Sequence, residues 1–435
     1  MKSSRSKRLH PFQRYRGNLC RDITPSGLMA TINKLSIEGF KSISKDTLDL
    51  GQFNVFIGVN GAGKSNLLEA LAMLSSAIEG HVDYESLQRR GARLSSSAIF
   101  RSAFRNKERR NAFKIAAQMA ESYYAVSVNA IDGFRYLAES LARGSKRLAG
   151  RSNKGATINK RSIPNKLDNK KGIFPLLRAS LDLGENGGED FRKSVDAFSK
   201  LARFSIYAPA TPLLRGVEPD RSAREPLGLY GGNLADALED VIKDKDSDAD
   251  IRRFFKMMEW VRSFGVTTET DPELVSGQLN LSGAKVRYTD KFMKTSFNSL
   301  YAYDVSEGAL YVLFILVLLI HRESPDIFAL DNVDNALNPG LCRRLMIQMA
   351  DVLREHPEKQ VFVTTHNPTA LDGIDLFDPT HRLFVIERDE FGHTKSRRVA
   401  PPAGMTRDQW ALQYGGLPLS EVWLSGAIGG LPVGY

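Results

Sequence analysis

An α/β fold, built on a mixed sheet with a helical lobe inserted into it, is what this chain predicts. Three observations carry that expectation: a glycine-rich loop between a strand-like and a helix-like run at 53–76, a second alternation of helix and strand patterns at 309–364, and a long excursion separating the two. At 435 residues the chain exceeds one ordinary core, and 42% hydrophobic residues can fill a substantial interior.

Taken in order, residues 1–28 lack apolar periodicity and the apolar stretch of a secretory signal. They read as a basic disordered tail, or as sequence ahead of a true start at Met29. Residues 29–76 are the amino-terminal half of the core. Apolar and polar residues alternate from Ile32 to Leu50, which predicts two antiparallel strands, and Phe53 to Ile57 (FNVFI) reads as a buried strand. GVNGAGKS follows at Gly58 to Ser65, and Asn66 to Ser76 has helical spacing. Residues 77–205 are expected to be an inserted helical lobe, with helices in the aromatic- and alanine-rich stretch Phe104 to Leu141. The polar, basic run Arg143 to Lys171 is expected to be a flexible loop.

Residues 206–300 connect back to the core. Phe204 to Ala208 reads as a returning strand, Asn233 to Phe264 as helix, and 274–300 as short β segments. Residues 301–400 supply the second half of the core, where helix 309–320, strand Asp326 to Leu330, helix 340–355 and strand Gln360 to Thr364 alternate as βαβ units. The aromatic segment 401–435 either packs on its own core or offers a docking surface.

Composition narrows the function classes. Cys20 and Cys342 are too few and too scattered for a disulfide framework or a metal cluster, which fits a reducing cytoplasm. The longest apolar run, Ala309 to Ile320, has 12 residues where a bilayer helix needs roughly 20, so it predicts a core helix and no membrane span. Net charge is +10 but uneven: residues 1–28 hold seven Lys/Arg against Asp22, residues 143–172 hold ten against Asp168, and the remainder is acidic. Nucleic-acid binding is therefore expected to run through those two basic segments, the plain alternative being a solvated tail and loop.

The chemistry is concentrated in a few strings. Gly58, Asn60, Gly61, Ala62, Gly63, Lys64, Ser65 and Asn66 form a complete phosphate-binding loop. Its glycines let backbone N–H groups turn onto phosphates, Lys64 reaches the β- and γ-phosphates, and Ser65 ligates Mg²⁺. The strand ending at Leu330 delivers Asp331, placed to hold the same Mg²⁺. VSEG at Val305 to Gly308 precedes an apolar helix. Alone it is an N-capping pattern, but between the loop and Asp331 it reads as a signature in which Ser306 and Gly308 bind the γ-phosphate of ATP held by another subunit.

With Asp331 followed by NVDNALNP, and strand Val361 to Thr364 followed by Thr365-His366-Asn367-Pro368, the chain resembles the ATP-binding-cassette branch of P-loop ATPases, especially the soluble SMC/RecF-like and OLD-like group. The resemblance implies an ABC-type P-loop ATPase core using ATP and Mg²⁺, with the nucleotide sandwiched between copies in a homodimer or higher homo-oligomer. It also implies that the hairpin at 32–50 flanks the adenine and that His366 reports on the γ-phosphate. One departure matters: the relatives' water-polarising glutamate is Asn332 here. An amide orients water but cannot take a proton near neutral pH. Slow hydrolysis is expected, or substitution by Asp334, which reads equally as a loop-capping or dimer-contact residue. The expected catalytic set is thus Asp331, Asn332, Asp334 and His366. Gln88 and Gln118 are candidates for the family's glutamine loop by order only.

LSEVWLSGAIGG at 419–430 resembles the closing segment of prokaryotic AAA-type ATPases encoded beside a second protein, many of them in anti-phage defence. The sequence shows no C-terminal acidic DxD cluster of a Toprim nuclease, no HNH pattern of His and Asn and no long heptad arm. The architecture is similar to the ATPase subunit of PARIS-type defence, with Septu-like systems second. That likeness implies a separate effector, a Toprim-type nuclease, and a viral trigger protein as partners. The other reading is a RecF-like repair ATPase that binds duplex DNA through 143–172 and the tail. A transporter subunit is disfavoured, because transporter cassettes are shorter and carry LSGGQ.

Overall fold

The computed structural model describes residues 31–105, 107–152, 155–163, 167–183, 188–218, 226–274 and 283–429. The basic tail 1–28 and the last six residues lie outside the described residues. The amino-terminal third contributes β1 (Lys34–Phe40), β2 (Ile43–Asp49), β3 (Phe53–Ile57), β4 (Ala112–Met119), β5 (Ser122–Asn129) and β6 (Arg135–Arg143). Next come β7 (Lys146–Ser152), β8 (Gly155–Ile158), β9 (Arg161–Ile163), β10 (Ile206–Tyr207), β11 (Val261–Thr267), β12 (Lys285–Asp290) and β13 (Ser299–Tyr301). The last are β14 (Ile327–Leu330), β15 (Gln360–Thr365), β16 (His381–Arg388) and β17 (Thr394–Val399).

The central sheet has the order β10-β14-β15-β3-β16-β17. Its first five strands are parallel and β17 pairs antiparallel with β16. It is therefore a mixed sheet, and β3 from the front of the chain is inserted between two strands from the back. A parallel sheet must be covered on both faces, and the strands are accordingly apolar over most of their length, with buried polar residues such as Asn54, Gln360 and Thr364 hydrogen-bonded. Period-two alternation divides them: Phe53, Val55, Ile57, Leu330, Val361 and Val363 join one core, while Phe56, Ala329 and Phe362 join the other.

Helix Glu307–Ile320 covers the first face. Every residue from Gly308 to Ile320 is buried, so the apolar run is a core helix, as its length predicts. Fully burying each Leu, Val or Phe stabilises by ~1.5–3 kcal/mol, which makes this helix the main anchor of that core. Helix Lys64–Glu79 covers the second face. It starts at Gly63 and ends at Gly80, whose positive φ lets its N–H return to the Ser76 carbonyl.

The excursion differs from expectation. Residues 112–163 are not helical; they form β4 to β9 of an eight-stranded antiparallel sheet, β2-β1-β4-β5-β6-β7-β8-β9. The alanines favour helix locally, but Phe113, Ile115 and Ala117 alternate with their neighbours, as do Tyr124, Val126 and Val128, and all six meet Leu35 and Ile37 of β1 in one core. The expected flexible loop 143–172 likewise contains β7, β8 and β9 among its described residues. Its Arg151 is buried at 5% exposure beside Glu139, Nε to Oε2 3.5 Å, and donates to the Lys171 carbonyl at 2.5 Å. Helices of the lobe are confined to Tyr84–Gln88, Phe174–Asp182 and Gly188–Leu201 among the described residues.

The helix expected over 233–264 is broken. Leu234–Lys243 and Asp248–Phe255 are helical, then β11 pairs with β12, because Val266 and Phe264 find cross-strand partners in Val286 and Tyr288. The C-terminal segment packs on its own core: Val422, Trp423 and Ile428 are buried in the first core, and Arg407 holds Asp375 through a bidentate pair at 2.8 and 2.6 Å. No helix among the described residues is long and apolar enough to cross a membrane.

Candidate nucleotide site

Strand order decides which side chains meet. β15 lies between β14 and β3, all parallel, so three loops leave the same carboxyl edge of the sheet. The phosphate loop leaves β3, Asp331 follows β14, and His366 follows β15. Lys64, Ser65, Asp331, Asp334 and His366 are brought together there, although the sequence separates Ser65 from Asp331 by 266 positions.

Gly61 and Gly63 have φ of +78° and +113°, the region that glycine enters freely. The loop wraps around Lys64, whose ammonium donates to the carbonyls of Gly58 at 2.7 Å and Val59 at 3.2 Å and lies 3.2 Å from His366 Nδ1. Burial pushes the Lys64 pKa down to about 8, against the opposing pull of Asp331 and Asp334. His366 is held below the usual imidazole range by burial and by the neighbouring Lys64 charge, with Asp334 and Asp331 working the other way. Its backbone N–H donates to Asp334 Oδ1 at 3.4 Å.

Ser65 Oγ donates to Asp331 at 3.1 and 3.3 Å. A hydroxyl and a carboxylate converging beside a lysine are the hard oxygen donors that Mg²⁺ prefers. Ser65 and Asp331 would hold the ion; when bound it neutralises phosphate charge. Asn332 has φ +55°, a left-handed conformation that asparagine tolerates better than glutamate. Asn60 and Gly61 are exposed at the tip of the loop, while Ala62 is buried.

Three contributors had no sequence signal of their own. Thr364 of β15 accepts the Asn332 N–H at 2.8 Å and donates to Asp331 Oδ1 at 2.5 Å, a consequence of the β14–β15 register. Thr394 and Ser42 build a clasp: Asn66 Nδ2 donates to Ser42 Oγ, Ser42 and Thr394 share a hydroxyl bond, and Thr394 donates to the Ala62 carbonyl, each at 2.7 Å. Behind the loop, Glu69 is 2% exposed and pairs with Lys41 and with Arg93 at 2.7 Å. Burial works to raise its pKa, but Arg93 and Lys41 together hold it below the ordinary value.

Ser306 and Gly308 stand apart. Ser306 is the exposed N-cap of helix Glu307–Ile320 and makes no side-chain capping bond, so the simple capping role is not realised. Gly308 is buried, and a Cβ there would come within 3.0 Å of Leu341, so the glycine permits close packing against helix Pro339–Glu355. Among the described residues no hydrogen bond joins Ser306 to the phosphate loop. Gln118 donates its side-chain amide to the Ala120 carbonyl, and Gln88 ends an outlying helix.

A phosphate loop on a central strand, with its lysine, serine and aspartate gathered at one sheet edge, is the arrangement of an α/β P-loop nucleotide-binding core. Residues 31–193 match the family model described as AAA ATPase domain, and residues 295–372 match one described as AAA domain, putative AbiEii toxin, Type IV TA system. No curated protein matches the chain. Among solved structures, an Smc head bound to the C-winged helix domain of ScpA is 14% identical over 86% of this chain and 99% of that one, with a TM-score of 0.47. An Smc head with an extended coiled coil, bound to the C-terminal domain of ScpA derived from Pyrococcus furiosus, is 13% identical over 85% and 96%, with a TM-score of 0.44. The SMC head domain from Thermotoga maritima is 13% identical over 85% and 99%, with a TM-score of 0.42.

Proposed function

We propose that this chain is the ATP-binding and slowly hydrolysing sensor and scaffold of a prokaryotic anti-phage system, controlling a separate effector nuclease. The observation that carries the defence setting is the match of 295–372, the segment holding Ser306, Asp331 and His366, to a model described in toxin–antitoxin terms. The convergence of Lys64, Ser65 and Asp331 supports MgATP as the ligand. Loop amides and Lys64 grip the phosphates, Asp331 and Ser65 hold Mg²⁺, and Asn332 orients water without accepting its proton. The exposed Ser306 is available to seal a second copy's nucleotide, which makes ATP the assembly signal. In this reading the effector is of the Toprim type and a viral protein releases it.

The deciding experiment is co-purification with the product of the adjacent reading frame, with and without ATP, for wild type and Lys64→Ala. ATP-dependent capture lost in Lys64→Ala is the expected result; capture indifferent to both overturns the scaffold reading.

A second reading, a RecF- or SMC-like repair ATPase on duplex DNA, draws on one observation. Lys146 and Arg147 of β7 and Lys160 in the turn between β8 and β9 are exposed. Duplex binding unchanged by replacing these three with Ala removes it.

A further inference from the structure

Beside the phosphate loop, a groove of ≈ 640 Å³ is lined by Ser42 and Asn66, by residues of 99–105 and Arg109, and by Arg388, Phe391 and Gly392 at the β16–β17 turn. Its inner end holds Lys41 and Arg93, which share the single carboxylate of Glu69. Its outer part is different. Arg101, Arg105, Arg109 and Arg388 line it, and among the described residues no carboxylate pairs with any of them. Arg101 is 9% exposed; its Nη1 donates to the Arg110 carbonyl at 3.2 Å and to Asn111 Oδ1 at 3.4 Å, and its Nε has no hydrogen-bond partner. Phe391, 59% exposed, and Phe104 also line it, both rings braced by His393 at centroid distances of 5.9 and 4.2 Å.

Four guanidiniums without a carboxylate partner among the described residues are not accounted for by the nucleotide of the loop. Its phosphates belong to the loop amides and Lys64, and a nucleoside is neutral. The arginines call for further anions, and two aromatic faces among them call for flat rings carried with those anions. A bare polyphosphate would leave the rings unused, and a duplex keeps its bases stacked away from them.

We propose that this outer groove binds single-stranded nucleic acid, its backbone phosphates on Arg101, Arg105, Arg109 and Arg388 and a base stacked at Phe104 and Phe391. The site is distinct from the basic strands at 143–163 and does not rest on the defence reading.

The test is fluorescence anisotropy of labelled oligothymidylate and oligouridylate across a salt series, on wild type, Arg105→Glu/Arg388→Glu and Phe391→Ala. A fluorescent ATP analogue is titrated in parallel. The substituted side chains are exposed, so the fold is retained, and the ATP analogue reports on it. Wild type should bind at least one oligonucleotide. The double variant should bind about tenfold more weakly, with a salt slope shallower by about 1.4. Phe391→Ala should weaken binding with the slope unchanged, and ATP affinity should stay constant throughout. Absence of oligonucleotide binding by wild type at low salt overturns the proposal. So does a parallel loss of ATP-analogue affinity in the double variant, which would make the groove the base end of the nucleotide site. Lys64→Ala, tested alongside, should lose ATP and keep the oligonucleotide, which separates this site from the ATPase reading.

Discussion

The Thr394 hydroxyl occupies the space that a side chain on Gly63 would need: a Cβ built at Gly63 falls 2.2 Å from Thr394 Oγ1. The same hydroxyl donates to the carbonyl of Ala62, so a residue of β17 holds the phosphate loop in shape from outside. The loop is thus preorganised by a contact spanning 332 positions.

Gly63→Ala is therefore doubly unfavourable, through φ +113° and through the clash. It should abolish binding of a fluorescent ATP analogue in an equilibrium titration. Thr394→Val keeps the volume but strands the Ala62 carbonyl and Ser42 hydroxyl, costing about 1–3 kcal/mol. ATP affinity should fall by roughly tenfold or more, while Thr394→Ser restores it; equal behaviour of Val and Ser would refute the clasp.

Lys64 sets a pH dependence. Below its pKa of about 8 the ammonium is already present to meet phosphate. Above it, binding must first recharge the lysine, so one proton is taken up and affinity falls by up to about tenfold per pH unit. Calorimetry in two buffers of different ionisation enthalpy should show proton uptake near pH 9 and little at pH 7 (about one and about zero protons). Uptake equal at both values would contradict the buried lysine.

Asn332 should govern turnover. Asn332→Glu introduces a proton acceptor beside Asp331, and steady-state phosphate release should rise about tenfold or more. Because φ is +55°, the same change should cost on the order of 1 kcal/mol of stability. Faster hydrolysis in wild type than in Asn332→Glu would mean that another group, Asp334 first among them, serves as base; Asp334→Ala then tests it.

Ser306 should matter between copies and not within one. Ser306→Arg is expected to leave ATP-analogue binding unchanged while preventing ATP-induced growth in mass by light scattering. Normal assembly by this variant would remove Ser306 from the interface.

Glu139 supplies a stability signature for the antiparallel sheet. Burial raises its pKa to about 7, partly opposed by the Tyr124 hydroxyl, Arg151 and the Ile173 N–H. The folded state thus holds a proton that the unfolded state releases near 4.5, so the contribution is complete below pH 4.5 and is lost as pH rises through about 7. Glu139→Gln should flatten the melting temperature over that window, sparing up to ~3 kcal/mol at pH 8. An unchanged pH profile would show that Glu139 stays ionised.

Sequence alone determined the elements whose signals are local and redundant. Phe53 to Ile57 is four apolar residues around Asn54 with a glycine loop behind it, and it is β3 to the residue. The helix at 309–320 and the strands before Asp331 and His366 were legible for the same reason, since their buried cores are apolar runs. The helical lobe was misread because Ala-rich strands look helical until cross-strand partners are known, and Arg151 looked solvated until Glu139 was placed beside it. Only tertiary structure could bring Thr394, Thr364 and Ser42 to the loop. Each is a common residue on an ordinary strand or turn, and its role comes from register and strand order, which are properties of pairs far apart in the chain and not of any single stretch.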